Sequence, residues 1–173
     1  NLKPDIFTYN SLLKLHVNTR NVIEAEKVLT HMKSAEVPLI VITYNLLLNL
    51  YVKLGKVEEA EELIERMKTT DTVFNVVTYN LLLTLYLNEE QFAKAEDVTR
   101  RMTLANIIPD RVTNHLLLNL NVNLGKIAEA ENVFKRMKST DVDIMIYNML
   151  LNLYAKLGKE EEAVTRLARV GFD

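Results

Sequence analysis

The most regular chemistry in this chain is carried by amides. Asn10, Asn45 and Asn80 recur every 35 residues, His115 takes the next place, and Asn148 follows after a step of 33. A side-chain amide offers two N–H donors and one carbonyl acceptor, so a row of amides directs hydrogen bonds and does no bond-making of its own. One such Asn, in the first turn of a helix, can simply cap it or bond to nearby backbone. Four Asn at one register, with a His among them, raise a second possibility: that they face a common ligand.

Bond-making chemistry has little to stand on. Cysteine is absent, which removes disulfides and thiolate metal sites. The histidines are His16, His31 and His115, and no two of them are spaced as a ligand pair. There is no nucleophile–base pair at suggestive spacing and no Gly-rich phosphate loop. The carboxylates Glu58, Glu59, Glu61 and Glu62 read as the solvated start of a helix. No cofactor, no metal and no enzyme activity are expected of these residues; a catalytic domain could only be fused outside them. The net charge of −2 advertises no general field for nucleic acid, and no run of about 18 apolar residues suggests a membrane span. With 49% hydrophobic and 25% charged residues, 173 residues suffice for a folded core.

The elements that must position the amides come from the same period. Leu12, Leu47, Leu82 and Leu117 keep the 35-residue step, as do Ala25, Ala60, Ala95 and Ala130, and Met32, Met67, Met102 and Met137. The units are 6–40, 41–75, 76–110, 111–143 and a partial 144–173, with a linker shortened by two residues between Met137 and Tyr147. Residues 1–5 (NLKPD) resemble NIIPD at 106–110, so they read as the end of a preceding unit, and more repeats are expected before them. The last unit ends in RVGFD and either continues or caps the array.

Each unit reads as two helices. In YNLLLNLYVKL (44–54), Leu47, Leu50, Tyr51 and Leu54 lie on one stripe, and Thr43 is a candidate N-cap or first-turn residue. Gly55, Gly125 and Gly158 break the chain. In VEEAEELIERMK (57–68), Val57, Ala60, Leu63 or Ile64, and Met67 face inward, with acids at the start and cations at the end. Pairs this short bury their apolar faces only by stacking. The fold class is therefore all-α, an α-solenoid superhelix of stacked antiparallel helix pairs.

The openings VITYN, VVTYN, IFTYN and IMIYN, then L-x-x-L-Y, then GK-[VI]-x-E-A-E, then a closing R-M-K, resemble the pentatricopeptide repeat in its 35-residue P-type form. The likeness runs from about residue 6 to 167. The resemblance implies a protein that binds single-stranded RNA, about one base per repeat. It acts on RNA processing, stability or translation in the mitochondrion, with the chloroplast as the alternative. The rival that the resemblance also allows is an architectural or protein-binding subunit of an organellar ribonucleoprotein such as a mitochondrial ribosome. Protein subunits, rather than RNA, are then the partners.

The resemblance also implies residue roles. The polar residue after the Tyr reads the base, helped by the last residue of the repeat. This gives Asn45 with Asn75 and Asn80 with Asp110, both leaning to pyrimidines. Asn10 falls opposite Ile40, which cannot help; His115 pairs with Asp143 outside the usual pattern; Asn148 has no visible partner. Phe7, Ile42, Val77, Val112 and Met145 take the place of wedges between bases, and beside them the register of Asn favours a base-facing role over capping. Cations on the first helices, for phosphate, are few: Lys14, Lys53 and Lys156. The fourth unit, RVTNHLLLNL at 111–120, also loses two aromatics: Asn114 and Asn121 stand where other units have Tyr. It reads as a retained structural repeat with a non-standard or unused base site.

Overall fold

The computed structural model describes residues 4–159, 161–163 and 165. The expectations for residues 1–3 and for the closing RVGFD lie outside the described residues. Contacts divide the chain into two compact units, Asn1–Glu89 and Glu90–Asp173.

The first unit holds α1 (Ile6–Asn18), α2 (Val22–Ser34), α3 (Val41–Leu54), α4 (Val57–Thr69) and α5 (Val76–Asn88). α1 packs on α2 and α3 on α4, while α1, α3 and α5 also pack side by side in series. Within this unit α3 and α5 are the most apolar helices. In α3, Tyr44, Leu47, Leu48 and Leu50 are all buried, and in α5 Tyr79, Leu82, Leu83 and Leu85 repeat them. The second helices bury only a stripe: Ala60, Leu63, Ile64 and Met67 in α4.

The second unit holds α6 (Phe92–Leu104), α7 (Arg111–Asn123), α8 (Ile127–Arg136), a 3-10 turn (Ser139–Asp141) and α9 (Ile144–Lys156). α7 packs on α6, α8 and α9. Residues 161–163 and 165 are helical.

The turns within helix pairs are tight. Gly55, Gly125 and Gly158 take left-handed conformations, φ 64°, 70° and 65°, where a Cβ would be strained. The next residue closes each turn back on the helix, as Lys56 N–H donates to the Tyr51 carbonyl at 2.9 Å. Arg20 and Glu90 hold the same conformation in the units that lack the glycine.

The two-residue shortening falls in a helix, which corrects the expectation of a shortened linker. α8 has 10 residues, whereas α2, α4 and α6 each have 13. Met137 turns extended, at φ −69° and ψ 144°, and the chain covers the remaining distance to α9 through the 3-10 turn.

Candidate nucleic-acid interface

The first helices begin at Ile6, Val41, Val76, Arg111 and Ile144, and the residue before each is its N-cap. Those N-caps are Asp5, Ile40, Asn75, Asp110 and Asp143. The position expected to assist base reading is thus also the helix cap. Thr43, an N-cap or first-turn residue by sequence, is the latter, in the first turn of α3 behind the Ile40 cap. Asp5 illustrates the cap: its carboxylate accepts from Thr8 N–H at 2.9 Å, and that bond, with the Thr8 hydroxyl, holds its pKa below the usual value.

The buried threonine two places before each amide in the next repeat is the part that sequence reading missed. Thr43 and Thr78 are fully buried. The Thr43 hydroxyl donates to Asn10 Oδ1 at 2.8 Å, and the Thr78 hydroxyl lies 2.8 Å from Asn45 Oδ1. The amide of one repeat is therefore anchored by a hydroxyl of the following one. Asn45 then donates through Nδ2 to Asn75 Oδ1 at 3.1 Å. Asn75 Oδ1 also accepts from Thr78 N–H at 3.1 Å, closing a capping box. Both amides spend their oxygens inward, which leaves N–H donors to face outward.

These two amides line a pocket of about 340 Å³, together with Ile42, Leu46, Val77 and Asn49. Ile42 and Val77 stand 53% and 47% exposed, large apolar side chains held out in solvent on either side of the amides. Phe7, Val112 and Met145, at the same register, are exposed as well.

The remaining predicted residues are less uniform. Asn80 is buried in α5 of the first unit. Asp110 caps α7 in the second, accepting from Thr113 N–H and from the Thr113 hydroxyl, both at 2.8 Å. Asn10 is half-buried, and the Ile40 cap opposite it makes no side-chain bond. Asn148 is exposed. His115 is half-buried, and its buried Nε2 has no hydrogen-bond partner. The register that holds Thr43 and Thr78 is Ile146 in the fifth repeat, so the hydroxyl that would anchor a fourth amide is missing along with the amide. Asp143 caps α9 through Met145 N–H and Ile146 N–H and pairs with Arg111 at 3.6 Å. Asn114, in the buried Tyr register, accepts from Arg136 Nε at 3.3 Å, where Tyr79 instead meets Phe74 edge-on.

Lys14, Lys53 and Lys156 are exposed on first helices and make no ion pair among the described residues. On the second helices several cations are matched within a turn, as in Lys27–Glu24 at 2.7 Å, Lys68–Glu65 and Arg100–Asp97. The uncommitted positive charge on the first helices is therefore small. Among the described residues, no three metal-ligating side chains gather, and no helix is long and apolar enough to cross a membrane.

Helix pairs repeated with an exposed apolar residue near the start of each first helix, and an amide at one register in four of the five, define an α-helical repeat protein. The chain belongs to the pentatricopeptide repeat family. A model described as "pentatricopeptide repeat-containing protein" matches residues 60–170, "pentatricopeptide repeat domain" matches 1–54 and "PPR repeat" matches 42–70. No curated protein matches the chain. The crystal structure of the pentatricopeptide repeat protein PPR10 from maize is similar, with TM-score 0.72 and 25% identity over 97% of this chain. This chain spans 24% of that one. The same maize protein in complex with an 18-nt psaJ RNA element gives TM-score 0.70 at 20% identity, covering 99% of this chain and 26% of that one. The PPR domain of Arabidopsis thaliana protein-only RNase P 1, in complex with tRNA, gives 0.69 at 19% identity, covering 91% of this chain and 86% of that one.

Proposed function

We propose that this chain is an RNA-binding segment of an organellar pentatricopeptide repeat protein, reading single-stranded RNA at about one base per repeat. The repeats are 6–40, 41–75, 76–110, 111–143 and 144–173. One observation carries the reading: Asn45 and Asn75 meet in a pocket flanked by the exposed Ile42 and Val77. The outward N–H donors suit acceptors on a base edge, such as the O2 of both pyrimidines, and the preference for pyrimidines over purines rests on the family resemblance of the Asn45–Asn75 pair. Asn80 with Asp110 is assigned the same pyrimidine preference in the third repeat. The RNA-bound structures among its neighbours support the ligand class. We place the protein in RNA processing, stability or translation, in the mitochondrion or the chloroplast.

Affinity follows from magnitudes. Stacking contributes about 1–3 kcal/mol per base, so three or four bases give on the order of 4–10 kcal/mol gross. Association costs about 4–15 kcal/mol, and Lys14, Lys53 and Lys156 add little phosphate attraction. The 173-residue chain is expected to bind short oligonucleotides no tighter than about 1 μM.

A titration against oligo-U, oligo-C and oligo-A tests the reading. Binding with pyrimidine preference, weakened by Asn45→Ala, supports it. Equal or absent binding to all three, with stable co-purification in a protein complex, favours the architectural role. The Arg111–Asp143 pair and the unmatched His115 of the fourth repeat are the observations that keep that role in view.

A further inference from the structure

In the second unit a groove of about 380 Å³ is lined by α6, α7 and α8. Buried Leu117 and Val133 give it apolar walls, and Glu96, Asn121, Lys126 and Arg136 give it a polar rim. His115 and Val112 do not line it, so it is separate from the proposed base-reading register.

The chain itself contains what fits such a place. Glu26, Glu61, Glu96 and Glu131 of the second helices share one register, and Tyr51, Tyr86, Asn121 and Tyr154 of the first helices that follow share another. In the first unit the Tyr86 hydroxyl donates to Glu61 Oε1 at 3.3 Å, with the residue 9% exposed. In the second unit the Tyr154 hydroxyl donates to Glu131, with the residue 1% exposed. Tyr51 follows the pattern, since burial and then the charges of Glu26 and Glu59 push its phenol up. Only at Asn121 is the ring gone. An amide is too short to fill its volume, and Glu96 takes Lys126 as partner instead.

We propose that this groove is a docking site for a tyrosine side chain supplied by a protein partner. The ring would lie against Leu117 and Val133, with its hydroxyl donating to Glu96, as Tyr86 donates to Glu61. Arg136 and Lys126 at the rim suit the face of an aromatic ring. The lining holds the carboxylates Glu96 and Glu129 beside the cations Arg100, Lys126 and Arg136, a near balance, so the occupant is argued from the array's own Tyr86–Glu61 pair, an uncharged side chain on a carboxylate. An aromatic anchor seated in a preformed pocket is the usual strong point of a protein interface.

The test is an NMR titration of the full 173-residue chain with N-acetyltyrosinamide, beside N-acetylalaninamide and uridine monophosphate. N-acetyltyrosinamide is expected to shift the amides of Glu96, Asn121 and Val133 saturably, with a Kd on the order of 1 mM. N-acetylalaninamide should leave them unmoved. Asn121→Tyr rebuilds the array's own residue and should weaken this binding at least about 10-fold while raising the Tm. Glu96→Gln keeps the shape of the groove and should weaken it by about 5-fold through the lost carboxylate acceptor. Absence of saturable shifts, undiminished binding in both variants, or tighter binding of uridine monophosphate in the groove would overturn the proposal.

Discussion

The slot of residues 41–75 and the slot of residues 111–143 stand on equivalent helices, and four of their differences fall on the hydrogen-bonded amides, the anchoring hydroxyl and the buried ring. In the first, Asn45 is anchored by Thr78 and bonded to Asn75, and Tyr44 is buried beneath. In the second, His115 replaces the amide, Ile146 the hydroxyl, Asp143 the capping amide and Asn114 the aromatic. The consequences are coupled. Without the amide there is no carbonyl oxygen for a threonine hydroxyl to hold, and the register carries a fully buried Ile146, which offers the buried His115 Nε2 no partner. Asp143, free of an amide partner, pairs with Arg111. Asn114 would leave a buried amide unpaired were it not for Arg136. The fourth repeat thus keeps its helices with other partners for Asp143 and Asn114, and lacks the amide–hydroxyl–amide chain of the second.

Copying pieces of the second slot onto the first should break that contrast. The largest effect is expected from Tyr44→Asn, which removes a buried aromatic and should cost about 3 kcal/mol in urea denaturation. A cost under about 1 kcal/mol would mean that the Tyr register contributes little packing. Thr78→Val comes next. It strands Asn45 Oδ1 and opens the capping box, so a loss of about 1–3 kcal/mol is expected, together with a flattened base preference. Unchanged preference would separate the anchor from the reading. A smaller effect, in the stabilising direction, is expected from Ile40→Asn. It gives α3 the side-chain cap it lacks, worth about 1 kcal/mol by thermal melting, and supplies Asn10 with the partner Asn45 has.

Much of this frame is legible in the sequence. The 35-residue step of Leu, Ala and Met marks the helices and their buried stripes, and Phe7, Ile42, Val77, Val112 and Met145 are exposed as wedges would have to be. The threonine anchors were missed because Thr43 looks like a cap when its helix is read alone; the hydroxyl's partner lies 33 residues away. Its signal was present, though: a Thr three residues after an Asp or Asn cap, at Thr8, Thr78 and Thr113. The shortening of α8 looks like a linker change in the sequence, because a residue count does not say whether a helix or its connection absorbs a deletion. The groove at Asn121 required the packed helices, since an alignment of repeats marks a missing ring but not whether neighbours close over it.

The most direct test of the contrast is to measure oligo-U and oligo-C binding to Asn45→Ala and His115→Ala side by side with the unaltered chain. Asn45→Ala is expected to weaken pyrimidine binding about 10-fold, the worth of one to two hydrogen bonds, and His115→Ala to change it by less than about 2-fold. Equal losses in the two variants, or a larger loss in His115→Ala, would contradict the account.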